Sequence, residues 1–278
     1  MNNMNDRIMV RANNKEELFN ELIYTRLLNY IAENCNLSAK LNKVKITDIV
    51  PVEGINQFVI YKKNEFDAGE HITDLRELKI LRDTILSLNN ESTSKLDDVE
   101  GIYTLQSLAS LIKITEFLFN KQKISYNNRC QLLKDISVII ALDYAVGMGK
   151  RHSSDILLAK SDITGKYRYI AANNNFSLLS DETSFKLVSN NYRHNSFEVE
   201  IENFANRNNF SPYLDYFQNN YKELLNKINE GVFEDAIYDA LNLMPRNYRN
   251  VPLEELLINF QKQRINKLER SRNLDRYR

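Results

Sequence analysis

Between Ile139 and Leu179 the chain reads IIALDYAVGMGKRHSSDILLAKSDITGKYRYIAANNNFSLL, and its periodicity changes repeatedly along that stretch. An apolar helical pattern carrying Ile139, Ile140, Leu142 and Tyr144 ends at a turn built on Gly147 and Gly149. A charged cluster of Lys150, Arg151, His152 and Asp155 follows. Alternation then predicts a hairpin, and a run of asparagines from Asn173 to Asn175 closes the stretch as a polar loop. The order helix, charged turn, hairpin, polar loop is the frame into which the rest of the chain has to fit.

A chain of 278 residues with 43% hydrophobic and 27% charged content can bury a sizeable core, which predicts one large domain or two lobes and argues against disorder. Lys+Arg and Asp+Glu both total 37, so no global field favours nucleic acid or a membrane, and such a partner needs a local patch. Seven glycines and four prolines leave little material for a phosphate-cradling glycine loop or a turn-rich all-β fold, so helix is expected to dominate. Cys35 and Cys130 are far apart, each within an apolar helical pattern, and read as buried reduced thiols. The N-terminal MNNMNDR lacks an apolar signal core, and no run approaches the ~20 residues that span a bilayer, which predicts a cytoplasmic protein with no membrane partner. Delivery into another cell by a specialised system leaves no mark of this kind.

Along the chain, Arg7 to Ala12 reads as one strand, and a helix is predicted from about Lys15 to Glu33 with Leu18, Leu22, Thr25, Leu27, Tyr30 and Ile31 facing inward. Asn42 to Val50 and Asn56 to Lys62 alternate as a hairpin turned at Pro51 to Gly54. Helices are predicted at about Ile72 to Leu88, Tyr103 to Phe119 and Tyr126 to Ala145, with a polar loop after the first. Asp181 to Asn195 reads as a loop. The aromatic cluster Phe204, Phe210, Tyr213, Tyr216, Phe217 and Tyr221 reads as core packing at a helix start. Further helices run from Pro212 to Ile228, Phe233 to Met244 and Pro252 to about Leu274. The cations of the last one, Lys262 to Arg278, read as favourable charge at a helix C-terminus before they read as a phosphate grip. No His/Cys/Asp arrangement has the spacing of a zinc site or a nucleophilic triad, and neither a P-loop nor a dinucleotide fingerprint occurs.

The central stretch resembles the catalytic segment of the HipA-like serine/threonine kinases and their secreted relatives in gut bacteria. In that family a DY pair, a glycine turn, DRHxxN, a hairpin and an AP-x-x-D metal loop follow one another. Asp143–Tyr144, Gly147, Arg151–His152 and the asparagine run stand at those places. NELIYTRLL resembles the family's N/S-E-x-x-A-x-x-L helix and puts Glu21 at the acidic position that pairs with a strand lysine oriented onto the nucleotide phosphates. The resemblance places Arg11 at that strand position and Tyr61 and Lys62 at the hinge.

What the resemblance implies is an α+β, mostly helical, protein-kinase-like fold. Residues 1–62 form a truncated small β-lobe, completed by another chain or not at all, and residues 63–278 a large helical lobe. ATP and Mg²⁺ are the implied cofactors. The catalytic loop maps onto Lys150, Arg151 and His152, the cofactor contacts onto Arg11, Glu21 and Tyr61, and the metal positions onto Asp155 and Asn174. The chemistry is altered at each demand. Lys150 replaces the proton-accepting aspartate, and an ammonium cannot take a proton at neutral pH. Asp155 replaces the first metal-binding asparagine and retains a hard oxygen, Asn174 offers the second metal position only a neutral one, and Arg11 replaces a point charge by a planar fork. His152 keeps the role of holding the loop.

These departures predict a catalytically impaired, HipA-like pseudokinase acting as a binding module for another protein or a nucleotide. An active kinase or nucleotidyl transferase, with Asp155 on the metal and Lys150 on phosphate, is the second expectation. A helical interaction protein unrelated to kinases is the third.

Overall fold

Strand β1 (Arg7–Ala12) alternates strictly, so Ile8, Val10 and Ala12 are buried while Met9 and Arg11 face out. The computed structural model describes residues 7–41, 43–65, 103–146, 155–160, 164–174 and 211–249, together with Glu255 and Ile258. Helix α1 (Lys15–Asn34) starts where Asn14 Oδ1 accepts from the Glu17 N–H at 2.8 Å and Glu17 reaches back to the Asn13 N–H at 2.8 Å. That reciprocal cap, with acids in the first turn, satisfies orphan amides and suits the helix dipole.

Strands β2 (Lys43–Pro51) and β3 (Phe58–Glu65) form the predicted hairpin, with Gly54 at φ +78° in its turn, a conformation glycine adopts without a Cβ penalty. All three strands are antiparallel in the order β1-β3-β2, which makes β3 the central one. The inner face of this sheet, carrying Ile8, Val10, Val44, Phe58 and Ile60, belongs to the same continuous core as Leu18, Leu22, Leu27 and Ile31 of α1.

Helices α2 (Tyr103–Asn120) and α3 (Tyr126–Val146) are joined by a short turn in which Gln122 takes a left-handed φ of 54°. From Leu132 to Asp143 helix α3 shows almost no exposed side, since Leu132, Leu133, Ile136, Ile139, Ile140 and Leu142 are buried together with Asp135, Ser137 and Asp143. It packs against α2, against β5 (Tyr167–Ala171), which pairs with β4 (Ile156–Lys160), and against α4 (Leu214–Lys227). Helix α5 (Glu230–Leu243) lies along α1, where Arg26 Nε meets Asp239 Oδ2 at 2.6 Å.

The α+β, mostly helical expectation is met, with a three-stranded sheet packed on α1. The boundary expected after Lys62 falls inside a strand that runs on to Glu65. Tyr213, Phe217 and Tyr221 are core residues as expected, the last two stacked at 6.1 Å. Cys35 and Cys130 are free thiols but only half-buried. The helices expected at 72–88 and 252–274, the loop at 181–195, Phe204 and Phe210 lie outside the described residues, Glu255 and Ile258 excepted.

Candidate functional site

Period-two geometry decides which cation enters the interior. On β3 the residues in phase are Phe58, Ile60 and Lys62, so Lys62 shares the core face and is only 1% exposed. Its Nζ donates to Glu21 Oε1 and, at 2.8 Å, to the carbonyl oxygen of Ala172. Glu21, on the buried face of α1 between Leu18 and Leu22, is 0% exposed. A buried charge is tolerable only when paired and hydrogen-bonded, and here both conditions hold.

The Glu21 carboxylate collects further donors. Thr25 Oγ1 donates to Oε1 at 3.3 Å from one turn on, the Asn174 backbone N–H donates to Oε2, and Asn174 Nδ2 donates to Oε1 at 3.1 Å. Nδ2 also faces the Ala171 carbonyl at 3.5 Å. Two acceptors on one side of that amide fix its orientation with the NH₂ group toward Glu21.

The segment carrying Ala172 and Asn174 leaves β5 and is tied to the start of β4. The Asp155 carbonyl accepts from the N–H of Ala172 at 2.8 Å and of Asn173 at 3.2 Å, and Asp155 Oδ1 accepts from Asn173 Nδ2 at 3.0 Å. Helix α3 joins α1 just beyond the ion pair, where Tyr24 Oη donates to Asp143 Oδ1 at 3.1 Å in the interior. Asp143 is the aspartate of the DY pair. The site is therefore one ion pair held between a strand, a helix and the tail of a hairpin, with Asp155 as a second carboxylate behind that tail.

A second buried network braces the same hairpin from the other side. Arg168 Nε donates to Asp135 Oδ2 at 2.9 Å, the Tyr169 N–H donates to the same oxygen at 3.0 Å, and Gln131 Nε2 donates to Oδ1 at 3.0 Å. Burial nevertheless holds the Asp135 carboxyl above its usual range, against the opposing pull of Arg168 and the hydrogen bonds. Arg168 also donates to the Lys40 carbonyl, on the segment between α1 and β2. A cavity of about 20 Å³, the size of one water, lies here among Leu28, Leu41, Asp135, Ile139 and Arg168.

The expected placements of Arg11, Lys62 and Tyr61 are corrected. Arg11 is not the partner of Glu21: its register partner is Val59, and Ile8, Val10 and Ala12 take the inward positions on β1, leaving Arg11 on the exposed face. Lys62 is not at a hinge but is the buried cation. Tyr61, one residue earlier, lies on the outer face across from Met9 and Asp48, so its side chain does not join the cluster. Asn174 donates from its side-chain amide to Glu21, and Asp155 Oδ1 accepts from Asn173 Nδ2.

Among the described residues no group of three or more His, Cys, Asp and Glu side chains is placed to hold a metal ion. Lys150, Arg151 and His152 lie outside the described residues. Among the described residues no helix is long and apolar enough to cross a membrane. Comparison with protein-family models, with curated proteins and with solved structures returns no match.

Proposed function

We propose that the chain is a catalytically impaired, HipA-like kinase-fold protein that serves as a binding module for a nucleotide or another protein. The observation that carries the reading is the buried Lys62–Glu21 ion pair. A strand lysine paired with a helix glutamate is what phosphotransferases of the kinase type use to orient an ammonium onto nucleotide phosphates. Here the glutamate is the one the family resemblance selects, and the lysine arrives from β3 instead of β1. A buried ion pair contributes little net stability compared with an apolar pair of the same volume, so its presence favours a role in recognition.

Loss of catalysis follows from the substitutions at the acid positions. Lys150 cannot accept the proton of an attacking hydroxyl, and Asn174 spends its side chain on Glu21 instead of on a cation. The protein-binding side of the reading is supported by the outer face of the small sheet, where Met9 is 56% and Val50 41% exposed beside Arg11, Lys45 and Lys63. Exposed apolar side chains rimmed by charge are the composition of a docking surface.

Calorimetric titration with ATP, with and without Mg²⁺, and label transfer from γ- and α-labelled ATP test the proposal. The expected result is no transfer from either label, with any nucleotide affinity lost in Lys62→Met. Robust transfer abolished by Asp155→Ala refutes the impaired-enzyme reading and establishes the active kinase or nucleotidyl transferase in its place.

A further inference from the structure

A lysine that is to meet a phosphate has to be reachable, and Lys62 is 1% exposed. What covers it is specific. The Ala172 carbonyl accepts from its Nζ, and two residues on, Asn174 clamps both oxygens of Glu21, Oε2 through its backbone N–H and Oε1 through Nδ2. Asn174 is itself 1% exposed, and the segment is anchored below by the Asp155 carbonyl.

We propose that Asn174 is a latch holding the Lys62–Glu21 pair shut, so that the described arrangement is an autoinhibited state and a phosphate-bearing ligand reaches Lys62 only after Ala172–Asn174 swing away. The inference rests on the nucleotide-binding reading above and adds its regulation. The chemistry turns on the neutrality of residue 174. The Asn174 amide donates to the carboxylate at 3.1 Å, whereas an aspartate in the same place offers Glu21 oxygens where a donor stood. The residue standing at the family's acidic metal position thus does the opposite of opening a cation site. It closes the amine off.

The latch is also local. Its hydrogen bonds to Glu21 connect the tail of β5 to α1 without passing through the core helix α3, so withdrawal of the tail leaves the Tyr24–Asp143 and Asp135–Arg168 contacts in place.

The test is the acylation rate of Lys62 in the full-length folded chain, measured by peptide mass spectrometry after brief exposure to an amine-acylating reagent, with exposed Lys63 as the internal standard. In the unmodified sequence Lys62 should label far more slowly than Lys63. Asn174→Asp should raise the Lys62 rate roughly tenfold or more, the factor that follows from losing one hydrogen bond to a charged group, with Lys63 unchanged. Asn174→Ala, which removes the Nδ2 donations and keeps the backbone N–H, should shift it the same way and serves if the aspartate variant does not fold, as checked by circular dichroism and melting. A Lys62 rate in either folded variant equal to that of the unmodified chain, or a Lys62 rate in the unmodified chain equal to that of Lys63, overturns the latch. A parallel titration with ATP and Mg²⁺ separates the two claims. Faster labelling with no nucleotide binding supports the latch and removes the nucleotide reading.

Discussion

Replacing Glu21 by leucine removes the acceptor for the Lys62 ammonium, for Thr25 Oγ1 and for both nitrogens of Asn174. The ammonium keeps the Ala172 carbonyl but loses the only negative charge among its described partners, deep in the interior. Removing one member of a buried pair costs about 3–5 kcal/mol, because the other charge is left uncompensated. In a chain of this size that corresponds to a fall of roughly 5–9 °C in melting temperature. Lys62→Met is expected to cost less, roughly 2–3 kcal/mol, because the carboxylate left behind retains the Asn174 and Thr25 donors. The double variant, with neither charge, should be more stable than Glu21→Leu alone, which is a coupling of at least about 2 kcal/mol in a double-mutant cycle. Urea denaturation of the four proteins at pH 7 supplies the cycle. Additive single effects, or a Glu21→Leu cost under about 1 kcal/mol, would falsify the pairing on which the site is built.

Further outcomes follow from other groups. Asp135 has its carboxyl raised by burial, so the folded state holds that proton more tightly than the unfolded chain does. Its stabilising contribution is therefore complete below the ordinary carboxylate pKa of about 4 and declines as pH rises through the elevated folded value. Asp135→Asn, which keeps an oxygen for Arg168, should flatten that decline, and urea midpoints from pH 4 to 7 that fall equally in both proteins contradict the assignment. Asn128 works as a piece of strand, donating from Nδ2 to the Tyr167 carbonyl at 2.8 Å and accepting the Tyr167 N–H on Oδ1 at 2.8 Å. Asn128→Asp keeps the acceptor and loses the donor, which should destabilise by about 1–3 kcal/mol in chemical denaturation, and an isoenergetic variant rules the contact out as a brace. Burial, with the nearby Glu223, pushes the Cys35 thiol from 9.0 up to about 11. In a Cys130→Ser background at pH 8, its iodoacetamide alkylation should run roughly a hundredfold slower in the folded than in the urea-unfolded protein, and equal rates exclude the shift.

Much of the fold was legible in order. Strand β1 and the boundaries of α1, α2, α3, α4 and α5 fall within a few residues of the expected ones, because amphipathic periodicity reports directly which residues leave water. Glu21 was legible as well, being in phase with Leu18, Leu22 and Thr25. The misassigned cation was legible by the same rule. RIMVRA puts Arg11 out of phase with Ile8, Val10 and Ala12, while FVIYKKNE puts Lys62 in phase with Phe58 and Ile60. Motif alignment overrode the alternation there, and the alternation held.

Local periodicity and caps such as Asn14 were enough to fix which side chains face inward and which segments are helix or strand. Tertiary structure alone decided what those inward groups meet. Glu21 and Lys62 are 41 residues apart and Glu21 and Asn174 are 153 apart. No local pattern encodes a contact at that range. It is fixed only when the β1-β3-β2 sheet packs on α1 and the tail of β5 arrives over the strand, because the cost of burying each polar group is offset only by the partner that packing supplies.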